Sequence, residues 1–563
     1  MPIKILASDV ISKIAAGEVV ERPASVVKEL LENSLDAGAS QITIEVGGGG
    51  VQLIRVTDNG AGIPEDEVEI AFERHATSKI KSEVDIEVIS SLGFRGEALP
   101  TIASVAEVGM TTRYRDDVAG TAVRLESGII RNKTKQGCPQ GTTITVKNLF
   151  QNVPARLKFL KSTPTENSHI SHLVSQYCLA FPEVKFALII NGRTGLRSSG
   201  NGNLRDALVE VYGLQTGQSM LELATSGDIV SGFISPASVS RSNRNYLSFF
   251  VNRRWVQSRM LTYAVEEAYH GMLMTGKHPI VAISISVPSQ DIDVNVHPTK
   301  REIKFHRERD IFMAVQKAVR ETLVVFTPVQ GVSLAPQLPG GSLPTQIPFA
   351  PSGGETSPLF SDQVIEQRGL ETSTGLPILR VIGQLQNTYI LAEGPDGVYL
   401  IDQHAAHERI VFEKIIEQQA RRAVEIQGLL EPLTIEVTAQ QEQLLSLHSG
   451  LLSEYGFLLD RFGERTYILR SVPALLKRQD IAPVVTEILD SLGGLQETGW
   501  QWSIARSLAC HAAIRAGQTL SVPESEKLVF QLEQTNSPRT CPHGRPTMIH
   551  LSTSQLEREF GRR

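Results

Sequence analysis

The chain has 563 residues, 41% of them hydrophobic and 21% charged, with a formal net charge of −6. That length allows several domains with sizeable cores, and the charge excludes a global electrostatic pull on nucleic acid, so any such contact needs a local basic surface. Four cysteines (Cys138, Cys178, Cys510 and Cys541) are too few for a disulfide framework and suit a reducing compartment. Met1–Asp9 carries no long apolar run, so no signal peptide is expected there. No stretch reaches the roughly 20 apolar residues of a membrane span.

Apolar residues recur at helical spacing over 24–35, which predicts a helix. Glu29, Asn33 and Asp36 fall at i, i+4 and i+7 on one face of it, with Glu32 nearby. Such a stripe is equally that of a solvated face. Strands are predicted over 41–46 and 53–57. The second runs into Asp58-Asn59-Gly60-Ala61-Gly62-Ile63, an acid at a strand end followed by spaced glycines. Such a turn lets backbone approach a flat or anionic ligand closely. Ala76-Thr77-Ser78-Lys79 adds hydroxyls, and Gly93-Phe94-Arg95-Gly96-Glu97-Ala98-Leu99 is a glycine-hinged loop able to close over phosphates with its N–H groups. There is no Gly-x-x-x-x-Gly-Lys-Ser/Thr, so this is not a P-loop.

Further strands are predicted over 142–146 and 281–287, and a helix over 263–270. Cys138 and Cys178 have no ligand-like neighbours and read as small packing residues. Arg253-Arg254-Trp255, Arg259, and Lys300-Arg301 through Lys304, Arg307 and Arg309 are the densest basic stretches. They suit phosphate pairing, or a solvated charged face, since Glu302, Glu308 and Asp310 interleave with them.

The Glu/Asn helix, the Asp-x-Gly-x-Gly turn and the later Gly-Thr strand resemble the GHKL ATPases. Within them, Ile14–Val20, Gly93–Leu99, Leu149–Leu160 and Asp293–Lys300 are similar to the MutL family of DNA mismatch repair proteins, over residues 1 to about 325. The resemblance implies a Bergerat-type ATPase sandwich over 1–215 and a ribosomal S5-like transducer domain over 216–327. It implies ATP and Mg²⁺ as cofactors. Glu29 would be the general base and Asn33 the magnesium ligand, a hard cation preferring oxygen. Asp58 would select adenine, with Gly60 and Gly62 passing the base and Thr143 beside Asp58. Thr77 and Ser78 would shape the pocket. Gly93, Phe94, Arg95, Gly96, Glu97, Ala98 and Leu99 would form part of the lid, and Lys300 would reach the γ-phosphate from the second domain. Arg259 would contact double-stranded DNA.

From Thr322 to Gly354 there is not one charged residue, while Pro328, Pro336, Pro339, Pro344, Pro348 and Pro351 interrupt the chain. A flexible linker is expected over 328–376, its ends on the order of 40 Å apart. Beyond it, strands are predicted over 380–384, 389–392 and 397–401, then a helix from near His404. A second mixed stretch, about 433–503, reads as an insertion. His404 and Glu408 stand at i and i+4, with His407 a rival at i+3, and Cys541-Pro542-His543 and Cys510 supply sulfur and imidazole. These are ligand types for zinc or manganese, though the same spacing also occurs in exposed helix pairs.

Asp402-Gln403-His404-Ala405-x-x-Glu408 and Cys541-Pro542-His543-Gly544-Arg545-Pro546 resemble the nick-making branch of the same family. This implies that 377–563 is an α/β dimerisation and endonuclease domain. Asp402, His404, Glu408, Cys510, Cys541 and His543 would form its manganese or zinc centre, with Asp402 and Glu408 catalytic. His511 departs from the family's usual Arg or Lys. Gln427, Leu430 and Pro432 resemble a peptide that touches the replication sliding clamp (β clamp), or they form a helix-to-strand connection. The whole is then expected to be a multidomain α+β, α/β protein: an ATP-controlled homodimer, cytoplasmic and nucleoid-associated. It would couple the mismatch-recognition protein MutS to repair and nick DNA at the second metal site. The alternative is an ATP-switched matchmaker whose C-terminal metal is only structural.

Overall fold

The computed structural model describes residues 20–79, 91–93, 96–224, 229–273, 276–293, 303–326, 376–477, 481–492, 499–515 and 517–560. Its N-terminal part is an eight-stranded sheet. The order is Ile129–Gln136, Gly120–Glu126, Glu107–Arg113, Gly141–Lys147, Leu53–Asp58, Gln41–Gly47, Lys185–Ile190, Arg193–Arg197. Alternation decides which face is covered. Ile42, Ile44, Val46, Ile54, Val56 and Val146 are all under 4% exposed. Helices Pro23–Asp36 and Thr163–Ala180 pack against each other and onto the sheet. Pro23 opens the first of these, where a missing N–H costs nothing.

A five-stranded sheet follows, ordered Arg254–Val256, Leu247–Val251, Val281–Ile285, Val230–Ile234, Leu221–Glu222. Helices Arg259–Ala268 and Glu308–Phe326 pack together in its core through Leu261, Val265, Val315 and Val319.

The C-terminal part holds a four-stranded antiparallel sheet, Arg380–Leu385, Tyr389–Gly394, Gly397–Asp402, Met548–Ser552. One face, through Ile390, Ala392 and Ile401, is fully buried. On the other face Ile549 and Leu551 remain exposed. The helix Gln403–Ala420 leaves this sheet and ties two cores. Ala406 sits in the sheet's core, while Phe412 and Ile415 sit in that of the inserted segment. That segment has a three-stranded sheet, Ile426–Glu436, Thr466–Pro473, Leu458–Gly463. Its helices Ala439–Glu454, Ile481–Leu492 and Trp500–Ala512 share the same core.

The insert lies against the N-terminal half. Helix Ala439–Glu454 packs on Thr163–Ala180. Beside it Asp490, its side chain 1% exposed, accepts a hydrogen bond from the Tyr246 hydroxyl and faces Arg241 Nε at 3.5 Å. Gln441 Nε2 donates to the same Asp490 oxygen at 2.7 Å. Lys277 is ion-paired to Glu487 one helical turn away.

Candidate functional site

The Pro23–Asp36 helix, the Asp58 turn and the segments at 74–79 and 96–101 enclose a cavity of about 1190 Å³. Glu29, Asn33, Asp36 and Asp58 line it together with Gly62, Thr77, Ser78, Gly93, Gly96, Glu97, Ala98 and Leu99. Asp58 accepts from Ser34 Oγ at 2.9 Å, Gly60 N at 2.9 Å and Thr142 N at 3.2 Å. Burial pushes its carboxyl up, and these three donors pull back toward the charged form. Gly62 has φ +75°, and a Cβ there would meet the Arg113 carbonyl oxygen at 2.1 Å, so only glycine fits.

Glu29 faces the cavity with Lys28 Nζ 3.2 Å from its Oε1. The same ammonium is 3.0 Å from Glu32 Oε1, which also accepts from the buried Tyr177 hydroxyl at 2.8 Å. Asn33 Oδ1 accepts from Lys79 Nζ at 2.9 Å. A carbonyl oxygen aimed at a cation is the donor type magnesium takes, so Asn33 fits that ion. Asp36 accepts from Lys79 Nζ at 2.6 Å, Leu92 N at 2.9 Å and Gly93 N at 3.0 Å. Close by, Arg254, 8% exposed, donates to the Ser91 carbonyl. Burial lowers its pKa against the pull of Glu32 and Asp36.

In the C-terminal part, Asp402 caps the Gln403–Ala420 helix: its Oδ1 accepts from His404 N at 2.9 Å and Ala405 N at 3.0 Å. One turn on, Glu408 is fully buried. His404 Nε2 lies 3.3 Å from its Oε1, and His543 Nδ1 lies 3.3 Å from its Oε2. Arg545 Nη2 is 3.5 Å from that second oxygen. Burial would raise the Glu408 pKa, but the His404 and His543 imidazoles hold it well below the carboxylate range. Burial and the Glu408 charge push the Cys510 thiol up to about 12.

Ligand atoms of Glu408, Cys510 and His543 all lie within 4.8 Å of one another. Glu408 Oε1 is buried with no partner in hydrogen-bonding geometry. An orphaned carboxylate oxygen between imidazole and thiol fits a transition-metal ion, which would also convert the raised thiol to thiolate. His404 Nδ1 is 2.7 Å from the Ile514 carbonyl oxygen, which fixes the ring with Nε2 toward Glu408, although His404 is not part of the three-ligand group. Cys541 is 2% exposed, with its N–H on the Arg545 carbonyl oxygen at 2.8 Å. It is not part of the three-ligand group.

The family described as "Histidine kinase-, DNA gyrase B-, and HSP90-like ATPase" matches residues 21–155. "DNA mismatch repair protein, C-terminal domain" matches 208–324, and "MutL C terminal dimerisation domain" matches 382–520. The DNA mismatch repair protein MutL of Desulforudis audaxviator (strain MP104C) is 41% identical over 100% of this chain and 99% of its own length. That of Methanothrix thermoacetophila is 40% identical over 100% of both chains. The chain belongs to the MutL family of DNA mismatch repair proteins. It is also similar to the solved Aquifex aeolicus MutL ATPase domain complexed with ADP, at 31% identity over 48% of this chain and 93% of that one, TM-score 0.37.

As a MutL-family chain it carries an ATPase domain around the first cavity and a dimerisation domain around the second group. Phe94, Arg95 and Lys300 lie outside the described residues. Gly60 packs on Ala37 at the edge of the turn. Thr142 lines the cavity, whereas Thr143 Oγ1 turns to Thr57 Oγ1 at 3.2 Å. The pleat places Thr142 and Ile144 on one face, so the expected threonine was one residue out of phase. Of the basic stretch, Arg259 is exposed at a helix N-terminus, Arg253 pairs with Glu183, and Arg254 is spent internally. Gln427, Leu430 and Pro432 are exposed on the edge strand Ile426–Glu436, at a bulge between Gly428 and Leu433. The alternative of a helix-to-strand connection does not describe them. Sequence reading gave no role to Lys79 or Arg545 and offered Arg254 for phosphate pairing or a solvated face; the partners of all three are remote in the chain. No described helix is long and apolar enough to cross a membrane.

Proposed function

We propose that this chain is an ATP-controlled mismatch-repair endonuclease that works as a homodimer. The observation that carries the second activity is the buried Glu408 carboxylate grouped with Cys510 and His543. Glu408, His404, Cys510 and His543 would hold a manganese or zinc ion, with Cys541 and Asp402 close by. Such an ion supplies an activated water and charge neutralisation at a phosphodiester. Arg545, 3.5 Å from Glu408, is placed to pair with the phosphate itself.

Support for the ATP side is the cavity geometry. Glu29 would take the proton of the attacking water, Asn33 would hold magnesium, and Asp58 would accept from the adenine amino group. Thr77, Ser78 and the segment from Gly93 to Leu99 would contact the phosphates, and Lys300 would join them from the second domain. Exposed Ile549 and Leu551 support pairing of two C-terminal sheets. Arg259 would contact duplex DNA. Leu430, fully exposed on an edge strand, with Gln427 and Pro432 supports docking of the sliding clamp. MutS would be the mismatch-reading partner.

The test is nicking of supercoiled plasmid with added Mn²⁺. Wild type should nick and Glu408→Gln should not. Equal, background-level nicking by both, with metal retained, would favour a matchmaker holding a structural ion. Separately, Glu29→Ala should bind ATP but lose turnover; unchanged hydrolysis would remove the base assignment.

A further inference from the structure

Lys79 sits where a divalent cation is expected. Its Nζ is 2.9 Å from Asn33 Oδ1 and 2.6 Å from Asp36 Oδ2, at the floor of the nucleotide cavity. The site is shaped for that ammonium. A Cβ on Gly93 would lie 3.2 Å from Nζ, so the lack of a side chain there leaves the room. The pair is sheltered, with side chains 22% and 11% exposed, unlike a fluctuating surface contact.

An ammonium and a doubly charged ion cannot share one carbonyl oxygen, because like charges at contact distance repel strongly in a sheltered site. We propose that Lys79 is a resident counter-ion of the nucleotide-free pocket, competing with Mg²⁺ for Asn33 and leaving only when a nucleotide phosphate offers it a new partner. The proposal rests on the reading of Asn33 as the magnesium ligand. The lysine stem is flexible and its three donors accept any phosphate oxygen, so the exchange needs no backbone rearrangement. Asp36 keeps two donors, Leu92 N and Gly93 N, after Lys79 departs. The start of the lid therefore stays pinned during the exchange.

Competition gives a signature in binding that a plain phosphate contact does not. A non-hydrolysable ATP analogue is titrated into the full chain in EDTA and again in saturating Mg²⁺, for wild type, Lys79→Gln, Lys79→Arg and Asn33→Ala. The ratio of the two affinities measures the coupling between metal and Lys79. In Lys79→Gln the metal-free affinity should fall while the magnesium affinity falls less, raising the ratio by about 10-fold. Lys79→Arg keeps the charge and should return the ratio toward wild type, which also guards against a folding defect. An equal loss in both conditions makes Lys79 a phosphate contact only and overturns the proposal. No loss in either makes it a structural ion pair, with the same result. If Asn33→Ala keeps the full magnesium enhancement, the reading of Asn33 itself fails, and it fails separately from the Lys79 arm.

Discussion

His404 Nδ1 lies 2.7 Å from the carbonyl oxygen of Ile514, and the N–H of that same residue donates to His407 Nδ1 at 3.0 Å. One residue on the loop after Cys510 thus fixes the ring of a candidate ligand and the ring of its neighbour. Burial lowers the His407 pKa, in keeping with a neutral ring that accepts. If the proposed metal centre forms, His407 would act on it by positioning this loop. His407→Ala should weaken metal retention by about 10-fold, the usual cost of a lost outer partner. Metal content after dialysis, read by elemental analysis, checks this; unchanged content removes the role.

Gly62→Ala should abolish binding of a nucleotide analogue and lower the melting temperature, because the new methyl meets the Arg113 carbonyl oxygen at 2.1 Å. The strained backbone alone costs about 1–3 kcal/mol. Gly109→Ala is the control, since nothing lies within 4 Å of its Cβ position. Thermal unfolding of the two variants should separate them clearly.

Arg254→Ala should destabilise the chain by about 1.5–3 kcal/mol, the worth of a hydrogen bond from a charged donor. It should also slow ATP turnover, since the guanidinium holds the Ser91 carbonyl two residues before Gly93, where the segment proposed to contact the phosphates begins. Loss of stability with normal turnover would make the contact purely structural.

Glu487 predicts a pH dependence. Burial would raise its pKa, but His511 Nε2 at 3.0 Å and the Lys277 ammonium bring it from 4.5 down to about 2. A depressed carboxylate contributes stability above its unfolded pKa and loses it as pH falls through the folded one. Glu487→Gln should then cost roughly 3 kcal/mol near neutral pH, and the gap to wild type should close between pH 4.5 and 2. Denaturant titrations across that window measure it. A constant gap would mean that the ion pairs contribute nothing.

Period-two alternation made the strands of the first sheet legible: 41–46 was expected and Gln41–Gly47 forms, 53–57 was expected and Leu53–Asp58 forms. The Glu29, Asn33 and Asp36 stripe was legible because one helix carries it. What stayed hidden depends on chain closure: Lys79 reaches Asn33 across 46 residues, and spacing in sequence does not reveal it. Glu408 meets His543 across 135 residues, a grouping that the family resemblance implied and spacing alone did not. Thr142 was missed by a phase error of one residue, and a strand's phase is set by its partners' register. Asp402 could have been read as a helix cap from its place before Gln403, had metal-ligand chemistry not claimed it first.

Asp490 decides what the contact between insert and N-terminal half would expose if it parted. Its counter-charge, Arg241, and its phenol partner, Tyr246, come from the far side of the linker. Asp490 Oδ2 and Arg241 Nε have no hydrogen-bond partner there, and burial raises the acid's pKa. Parting the two surfaces rehydrates both ions, and that gain offsets the attraction between them and the broken phenol hydrogen bond. What is uncovered at this point is ionic and readily wetted rather than adhesive. Parted there, the two surfaces would present charge to water rather than an apolar patch.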